Sequence, residues 1–352
     1  MVVQYKCSNC GADMAFDATS GMLHCDSCGT YREIDPKTDT TKEEQRKKKS
    51  KDHIDKEPFT NEVREYSCNN CGAILITDQD TSATTCTFCN APVILQERLS
   101  GTFAPAKVIP FTITKEQAMK AFRSWCHKGM LTPKGFMTAD RVKSITGLYV
   151  PFWLYDLNSI GEVDATCTRV RKYTSGDYIY TETSYYKVHR KVNLNYLKVP
   201  ADASAKLNDE LMDKLEPFDY SQLKEFNMPY LAGYLAEKYN YDDNELLPRI
   251  KDRVKGYVDQ YIRTTIVGYS STIYNRKDIA ISKTHADYVL LPVWIVCYDY
   301  KQTEYIFAMN GQTGKIVGKP PLSIKKMLAW FSGISAGAYI LLSIISLFSG
   351  GV

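Results

Sequence analysis

The chain has 352 residues, of which 44% are hydrophobic and 24% charged, and its formal net charge is +4. This length allows two or three domains with at least one sizeable core, and the composition is that of a folded protein. The net charge is too small and too spread along the chain to indicate an acidic partner.

The first feature along the chain is a set of cysteines at metal-ligand spacing. Eight of the eleven cysteines form two units with the same frame: Cys-x2-Cys, fourteen residues, Cys-x2-Cys. The N-terminal sequence MVVQYKCSNC lacks the basic and apolar regions of a signal peptide, so we expect reduced thiols rather than disulfides. A redox role for the pairs would require a thioredoxin-like βαβ context, which the surrounding sequence lacks.

The spacing predicts two zinc ribbons with four thiolates each. Residues that tolerate left-handed backbone follow the second cysteine of each pair, namely Gly11, Gly29, Gly72 and Asn90. The predicted metal ligands are Cys7, Cys10, Cys25 and Cys28 for the first zinc, and Cys68, Cys71, Cys86 and Cys89 for the second. Zinc with four thiolates has no open coordination position, so both Zn²⁺ ions are predicted to be structural.

The ribbons are expected to span residues 1–35 and 58–100, with a charged linker at 36–57. Each ribbon carries two basic residues against five acidic ones. Proteins that grip nucleic acid by its phosphates need clustered Lys and Arg, so we do not expect nucleic acid as the partner of the ribbons. The run RKKKSK at 46–51 is interpreted as solvated linker; a nucleic-acid-associated protein that uses this run and the ribbons is the alternative function.

We interpret residues 101–322 as an α+β body. A helix is predicted over TKEQAMKAFRSWCHKG, because Thr114 and Gln117 stand at capping-box spacing. The stretch GLYVPFWLYDL predicts a buried strand, and residues 162–199 alternate in the manner of strands.

Two more helices are predicted in the body. The first, over SAKLNDELMDKLEP, is expected to have Ser204 as its N-cap. The second, over DDNELLPRIKDRVKGYVDQYIRTTI, is expected to hold Pro248 in its first turn. Its predicted apolar stripe consists of Leu247, Ile250, Val254, Tyr257 and Tyr261.

The end of the body contains a predicted hairpin with NGQTG at its tip. The stretches YVPFWLYD and LLPVWIVCYD share a Pro-x-Trp core, and a helix precedes each of them. This similarity indicates two related subdomains, each a helix with an antiparallel sheet, divided near residues 200–240. The alternative is that two buried strands resemble each other by composition alone.

Residues 327–348 contain no charge and are long enough to cross a bilayer as a helix of about 33 Å. Lysines precede this stretch and only SGGV follows it, so we expect a tail-anchored, single-pass membrane protein with its bulk in the cytoplasm. A buried core helix is the alternative. Gly333 and Gly337 stand four residues apart, a spacing that favours helix pairing within membranes.

The rest of the sequence offers no catalytic constellation. None of the five histidines belongs to a known metal or nucleophile motif, and the glycines of NGQTGKIVG lack the spacing of a phosphate loop. We therefore expect no enzymatic activity.

Several stretches together resemble a known family: the ribbon pair, GLYVPFWLYD, VPADAS, EPFDYSQL, YLAGYLAEKY, LLPVWIV and FAMNGQTGKIVG. The chain resembles bacterial membrane proteins that contain zinc ribbons of the transcription-factor-IIB type. Some members of that family are associated with a phage-shock protein A homologue and an SPFH-domain protein. The resemblance implies a membrane adaptor or scaffold that acts through protein contacts in an envelope-stress response. The chain departs from the plainest version of the family in having two ribbons.

Overall fold

The computed structural model describes residues 2–34, 64–99, 103–133, 136, 142–300 and 302–349. The predicted charged linker at 36–57, with its basic run, lies outside the described residues. The strands of the described part are β1 (Val2–Val3), β2 (Ala15–Asp17), β3 (Met22–His24), β4 (Tyr31–Arg32), β5 (Arg64–Ser67), β6 (Ile74–Thr77), β7 (Thr81–Thr85), β8 (Pro92–Leu95), β9 (Lys107–Val108), β10 (Val142–Ser175), β11 (Tyr178–Asp202), β12 (Lys224–Glu225), β13 (Leu235–Glu237), β14 (Ser271–Tyr300), β15 (Thr303–Asn310) and β16 (Ile316–Val317). The α-helices there are α1 (Lys115–Lys128), α2 (Asp209–Asp213), α3 (Asp243–Thr265) and α4 (Ile324–Ser349).

An 11-stranded mixed sheet forms the frame of the body, and its main path runs β1-β8-β7-β13-β10-β14-β15-β16. β11 adds to β10, and β9 adds to β14. Two smaller sheets, β2-β3-β4 and β5-β6, lie in the cysteine-rich segments. The predicted mixed α+β body is confirmed, but its sheet also contains strands from both cysteine-rich segments.

The two Pro-x-Trp segments lie side by side at the centre of the large sheet. In the antiparallel pair of β10 and β14, Pro151 is opposite Leu290 and Tyr149 is opposite Pro292. Each long strand also receives a short parallel strand from the other half of the body, because β13 pairs with β10 and β9 pairs with β14. Both segments thus belong to one sheet, and their division into two subdomains near 200–240 stays a prediction.

β10 and β11 form a long hairpin that extends beyond the rest of the sheet. Their pairing is continuous from Leu157 opposite Tyr196 to the turn at Ser175 and Tyr178. α3 covers one face of this extension and buries a stripe of Leu246, Ile250, Val254, Val258 and Ile262. The pairing of β14 with β10 ends at Thr168, so the residues beyond it form a two-stranded tip.

The helix of the first half of the body has the predicted start. Thr114 accepts a hydrogen bond from the backbone of Gln117, and the Gln117 side chain accepts one from the backbone of Thr114. The prediction for Ser204 is wrong, because its hydroxyl binds the Glu237 carboxylate at 3.0 Å. The short helix α2 instead begins after Asn208, whose side chain caps it.

The long helix α3 also differs from the prediction in two details. It begins after Asp242, which caps the backbone of Asn244 and Glu245, so Pro248 is the sixth helical residue and lies in the second turn. The predicted stripe is wrong at Tyr257 and Tyr261, which are exposed. The buried side chains of α3 repeat every four residues from Leu246. Tyr257 and Tyr261 lie at the edge of this stripe, where their hydroxyls can reach water.

At the C-terminal end, the span Ile324–Ile345 of α4 is long and apolar enough to cross a membrane, and none of it is buried in the body. The sequence-predicted span of 327–348 falls inside this helix. The alternative of a buried core helix is wrong. The side of the membrane on which the body lies stays a prediction.

Candidate metal centres

The structure brings the eight predicted ligands into two groups of four sulfurs. In each group the ligand atoms lie within 4.8 Å of one another. In the first group, Cys7 and Cys28 are 3.6 Å apart and Cys10 and Cys25 are 3.5 Å apart, sulfur to sulfur. In the second, the corresponding distances are 3.8 Å for Cys68 to Cys89 and 3.7 Å for Cys71 to Cys86.

These distances match a metal with four thiolate ligands. Zinc–sulfur bonds of about 2.3 Å in a tetrahedron place the sulfurs about 3.8 Å apart. Soft thiolates in tetrahedral geometry are the donor set of zinc and of iron–sulfur centres. Both groups can therefore hold a metal ion with no open position for a substrate, which is the arrangement of a structural site.

The backbone around each cysteine pair has the predicted turn. The residue after the second cysteine has a positive φ in all four pairs: 75° at Gly11, 72° at Gly29, 73° at Gly72 and 56° at Asn90. Its N–H donates to the carbonyl of the first cysteine, as from Gly11 to Cys7 at 2.9 Å. Left-handed backbone at these positions is strained for most residues, which explains the glycines and the asparagine.

Hydrogen bonds lower the pKa of two thiols in each group, those of Cys7 and Cys28 in the first and of Cys68 and Cys89 in the second. A backbone hydrogen bond acts to lower the pKa of Cys10 and of Cys71, but hydrogen bonds with neighbouring sulfurs and burial outweigh it and raise both pKa values to about 12. The hydroxyl of Thr30 lies 3.1 Å from the Cys28 sulfur and lowers the pKa of that thiol to about 6. The side-chain amide of Asn70 donates to the Cys89 sulfur at 3.5 Å and lowers its pKa to about 6. A lowered thiol pKa makes metal binding compatible with neutral pH.

The first metal group contacts the body through β2. The N–H of Phe16 donates to the Ala232 carbonyl at 2.8 Å, and the Phe16 ring meets the Tyr230 ring edge-on at 5.4 Å. Ala15 packs closely against Gly233. A Cβ added at Gly233 would lie 3.0 Å from the Cβ of Ala15. These contacts line one side of a cleft of about 580 Å³, which Thr85 of the second ribbon and residues of the body also line.

The second metal group is continuous with the body sheet. β7 pairs with β8 on one side and with β13 on the other, with Ala83 opposite Ala236. β13 in turn pairs with β10 at the centre of the sheet. Arg98 is 7% exposed, and its guanidinium donates to the carbonyls of Asp78 and Thr81. The loop between β6 and β7 is thereby fixed by a residue that the sequence analysis counted only as a charge.

An ionic network reinforces the joint between the second ribbon and the body. The Lys206 ammonium lies 2.6 Å from Asp78, 3.5 Å from Asp80 and 3.5 Å from Glu237. Burial acts to raise the pKa of Asp78, but its hydrogen bonds with Lys206 and Thr81 lower it to about 2. The sequence analysis missed this network, since Lys206 is 128 residues away from Asp78 along the chain.

The two ribbons also touch each other through the first residues of the chain. β1 pairs with β8, with Val2 opposite Leu95. The Gln4 side-chain amide donates to the Cys68 sulfur at 3.8 Å, and Lys6 donates to Asn70 at 2.8 Å. The extreme N-terminus therefore contributes to the surroundings of the second metal group.

A buried carboxyl in the body has no counterpart in the sequence analysis. Asp202 is fully buried, and this burial raises the pKa of its carboxyl to about 7. The backbone N–H of Ser204 donates to it at 3.1 Å. Nearby, Asp213 binds Arg249 and Arg253 at 3.0 and 2.9 Å. The Asp202 carboxyl can therefore take up a proton near neutral pH. In the sequence, this residue was noted only as part of the motif VPADAS.

These features define a class: a protein with two four-cysteine metal groups, a mixed α+β body and a C-terminal helix able to cross a membrane. The chain is 54% identical over 351 residues to a protein of Bacillus subtilis (strain 168) described as "Uncharacterized protein YdjG". The match covers 100% of this chain and 99% of the relative, so the chain belongs to the same family as YdjG. No family model and no solved structure matches the chain.

Proposed function

We propose that the chain is a single-pass, tail-anchored membrane protein whose body and metal groups lie in the cytoplasm, where it acts as an adaptor. Lys319, Lys325 and Lys326 flank the start of α4, and cytoplasmic flanks carry an excess of basic residues. Thiolate metal sites also persist best in a reducing compartment. Protease treatment of intact spheroplasts should leave both ribbons uncut, and their loss would reverse the topology.

We propose that each metal group holds a structural Zn²⁺. The donor set of four thiolates and the near-tetrahedral sulfur spacing support this choice. Metal analysis of freshly prepared, reduced protein should give two zinc per chain. Visible absorbance with stoichiometric iron would instead indicate iron–sulfur or rubredoxin-like centres.

The observation that carries the adaptor proposal is the tip of the β10–β11 hairpin. Tyr178 and Ile179 are each more than 70% exposed there, as is Tyr185 beside it. The tip, residues 169–184, contains three Lys or Arg against two Asp or Glu. Exposed tyrosines and arginines around apolar side chains are typical of protein–protein interfaces. We propose that this tip contacts a protein partner.

The family resemblance suggests phage-shock protein A-like or SPFH-domain proteins as that partner in an envelope-stress response. Affinity purification from detergent-solubilised membranes should enrich such a protein with the wild-type chain. The double variant Tyr178→Ser with Ile179→Ser should lose most of it. Tyr257→Ser, at an exposed tyrosine of α3, is the matched control. If both variants recover the same amount of the partner, the tip does not take part in the interaction.

The second candidate function is nucleic-acid association, and the same tip is the observation that favours it. A two-stranded ribbon with arginines and tyrosines can enter a groove of a duplex. Binding that weakens steeply with salt, and weakens less steeply in Arg171→Ala, would support this candidate. Absence of such binding at low salt would exclude it.

We also propose that α4 pairs with another membrane helix through Gly333 and Gly337. No atom lies within 4 Å of a Cβ built at either position, so both present open surface. Small residues at this spacing allow close approach of helix backbones. The double variant Gly333→Ile with Gly337→Ile should keep its membrane insertion and weaken crosslinking between helices. Unchanged crosslinking would mean that α4 anchors the protein without pairing through Gly333 and Gly337.

A further inference from the structure

The start of α4 is fixed to the loop that follows α1. The backbone N–H of Ser323 donates to the Leu131 carbonyl at 2.8 Å, and the Lys326 ammonium donates to the Thr132 carbonyl at 2.7 Å. Ser323 also caps α4, since its hydroxyl accepts from the Lys326 N–H at 3.3 Å. The loop at 129–133 therefore lies beside the first turn of the helix.

Three large apolar side chains are exposed at this junction. Met130 is 63% exposed, Leu322 61% and Ile324 70%. The turn that presents Met130 is tight, because a Cβ on Gly129 would come within 2.1 Å of the Thr132 hydroxyl. Thr132 itself is only 5% exposed, so the turn is packed against the body while Met130 faces outward.

Two lysines lie next to these apolar residues in the sequence, Lys319 before Leu322 and Lys325 after Ile324. Lys319 and Lys325 are exposed, and the Lys319 ammonium lies 3.4 Å from the exposed Glu210 carboxylate. Apolar side chains with a cationic rim at the entry of a membrane-spanning helix suit the boundary between lipid headgroups and acyl chains. We name this set of five residues the foot: Met130, Lys319, Leu322, Ile324 and Lys325.

We propose that the foot is a second membrane contact, seated in the headgroup layer of an acidic bilayer. The inference rests on the proposed membrane anchoring by α4. The bilayer is the occupant because the foot is continuous with that helix: Ile324 is about 5 Å along the axis from Met327, where the uncharged stretch begins. Seating the apolar side chains there removes them from water, and the lysines face anionic headgroups.

A seated foot would fix the direction of the body. The foot loop leads to Phe136, whose ring packs 4.5 Å from Tyr298 beside the start of β10. β10 then runs for 34 residues, up to about 110 Å, to the exposed tip. The foot therefore lies near the start of this long strand and the tip at its far end, so a seated foot would place the membrane at the end of β10 that is remote from the tip.

Photocrosslinking of the full-length chain in lipid vesicles tests this contact. A photoreactive phenylalanine analogue is placed singly at Met130, Leu322, Ile334 and Tyr178. The vesicles contain phosphatidylcholine alone or mixed with phosphatidylglycerol. We expect lipid adducts at Ile334 in both, adducts at Met130 and Leu322 that increase severalfold with phosphatidylglycerol, and none at Tyr178.

Each other outcome overturns part of the proposal. Adducts at Ile334 without adducts at Met130 and Leu322 would overturn the foot and leave the anchor intact. Absence of adducts at Ile334 would overturn both the foot and the membrane anchoring. Adducts at Tyr178 would overturn the orientation of the hairpin.

A charge variant keeps the test independent of the probe. Met130→Glu places an anion in the headgroup layer, so it should reduce the adduct at Leu322 severalfold and leave the adduct at Ile334 unchanged. Met130→Leu is the matched control and should behave as the wild type. Because Met130 is exposed, neither variant is expected to affect folding. An unchanged Leu322 adduct in Met130→Glu would count against the foot.

Discussion

The two ribbons share one cysteine frame and nearly one metal geometry, yet they are attached to the body in different ways. The first packs its buried side chains, Phe16 among them, into the main core of the body and adds only the edge strand β1 to the large sheet. The second supplies β7 and β8 to the large sheet. The same four-cysteine unit thus contributes an edge strand in one case and two strands of the main sheet path in the other.

This difference indicates that the metal groups contribute unequally to stability. Loss of metal from the first group should free one docked unit. Loss from the second should release strands that continue through β13 into the centre of the body. Because the first ribbon adds only the edge strand β1 to the sheet, its loss should leave the central strand pairing in place.

Removal of one buried ligand from each group tests the comparison with the largest effect. Cys25→Ser and Cys86→Ser should each lose one metal ion per chain, since structural zinc contributes on the order of 10 kcal/mol to such modules. Only Cys86→Ser should strongly lower the main thermal transition of the protein in detergent. Cys297→Ser, which lies outside both groups, should keep two metal ions. Equal lowering of the transition by both ligand variants would contradict the asymmetry.

A smaller effect is expected from weakening the dock of the first ribbon. Phe16 is 5% exposed, so Phe16→Ala should cost about 3 kcal/mol of docking. The first metal group should remain loaded, while protease cleavage within residues 2–34 becomes faster. Phe16→Leu is the control and should show a fraction of the effect. If Phe16→Ala also lost the first metal ion, the contact with the body and the ribbon would fold as one unit.

The ionic joint of the second ribbon should contribute less. Lys206→Met should destabilise the protein by about 1–3 kcal/mol near neutral pH, because it leaves the partly buried Glu237 without its cation. Lys206→Arg, which keeps the charge, should cost less. Unfolding by denaturant measures both.

The same joint predicts a pH dependence. The pKa of Asp78 is lowered to about 2 in the folded protein, so its contribution to stability is complete above its ordinary pKa of about 4. That contribution should disappear as the pH falls toward 2. The stability difference between wild type and Lys206→Met should therefore shrink as the pH falls from 7, first as Glu237, whose pKa is raised by burial, takes up a proton in the variant and then as Asp78 does. A difference that grows in acid would contradict the assignment.

The smallest effect concerns the link between the ribbons. Gln4→Leu removes the long hydrogen bond to the Cys68 sulfur. It should lower the metal affinity of the second group by up to about 1 kcal/mol, a factor of roughly 5. Competition with a chelator measures this, and the first group is the internal control. An equal change in both groups would point to a general destabilisation.

The sequence predicted the local features well and the long-range ones poorly. The cysteine frame, the capping box at Thr114 and the apolar C-terminal helix are encoded within a few residues of each other. The NGQTG turn is also local, and the structure closes it through an Asn310 N–H that donates to the Lys315 carbonyl at 2.9 Å.

The missed features depend on partners far away along the chain. Ser204 is a plausible helix cap by spacing, but Glu237 takes its hydroxyl, and no local pattern announces that contact. Arg98 and Lys206 looked like surface charges, although one is buried and the other joins three carboxylates. Tertiary packing decided these cases over local preference.

The crossed pairing of the short strands has a consequence for the order of folding. β9 ends at Val108 but pairs with Leu290, and β13 joins β7 to β10 only after residue 237 has been made. Such high contact order slows folding, since loop closure precedes the gain from pairing. During synthesis, the ribbons can bind metal early, whereas the central sheet waits for β14. Exposed β10 edges would persist through that interval, which makes the nascent chain a candidate for chaperone assistance.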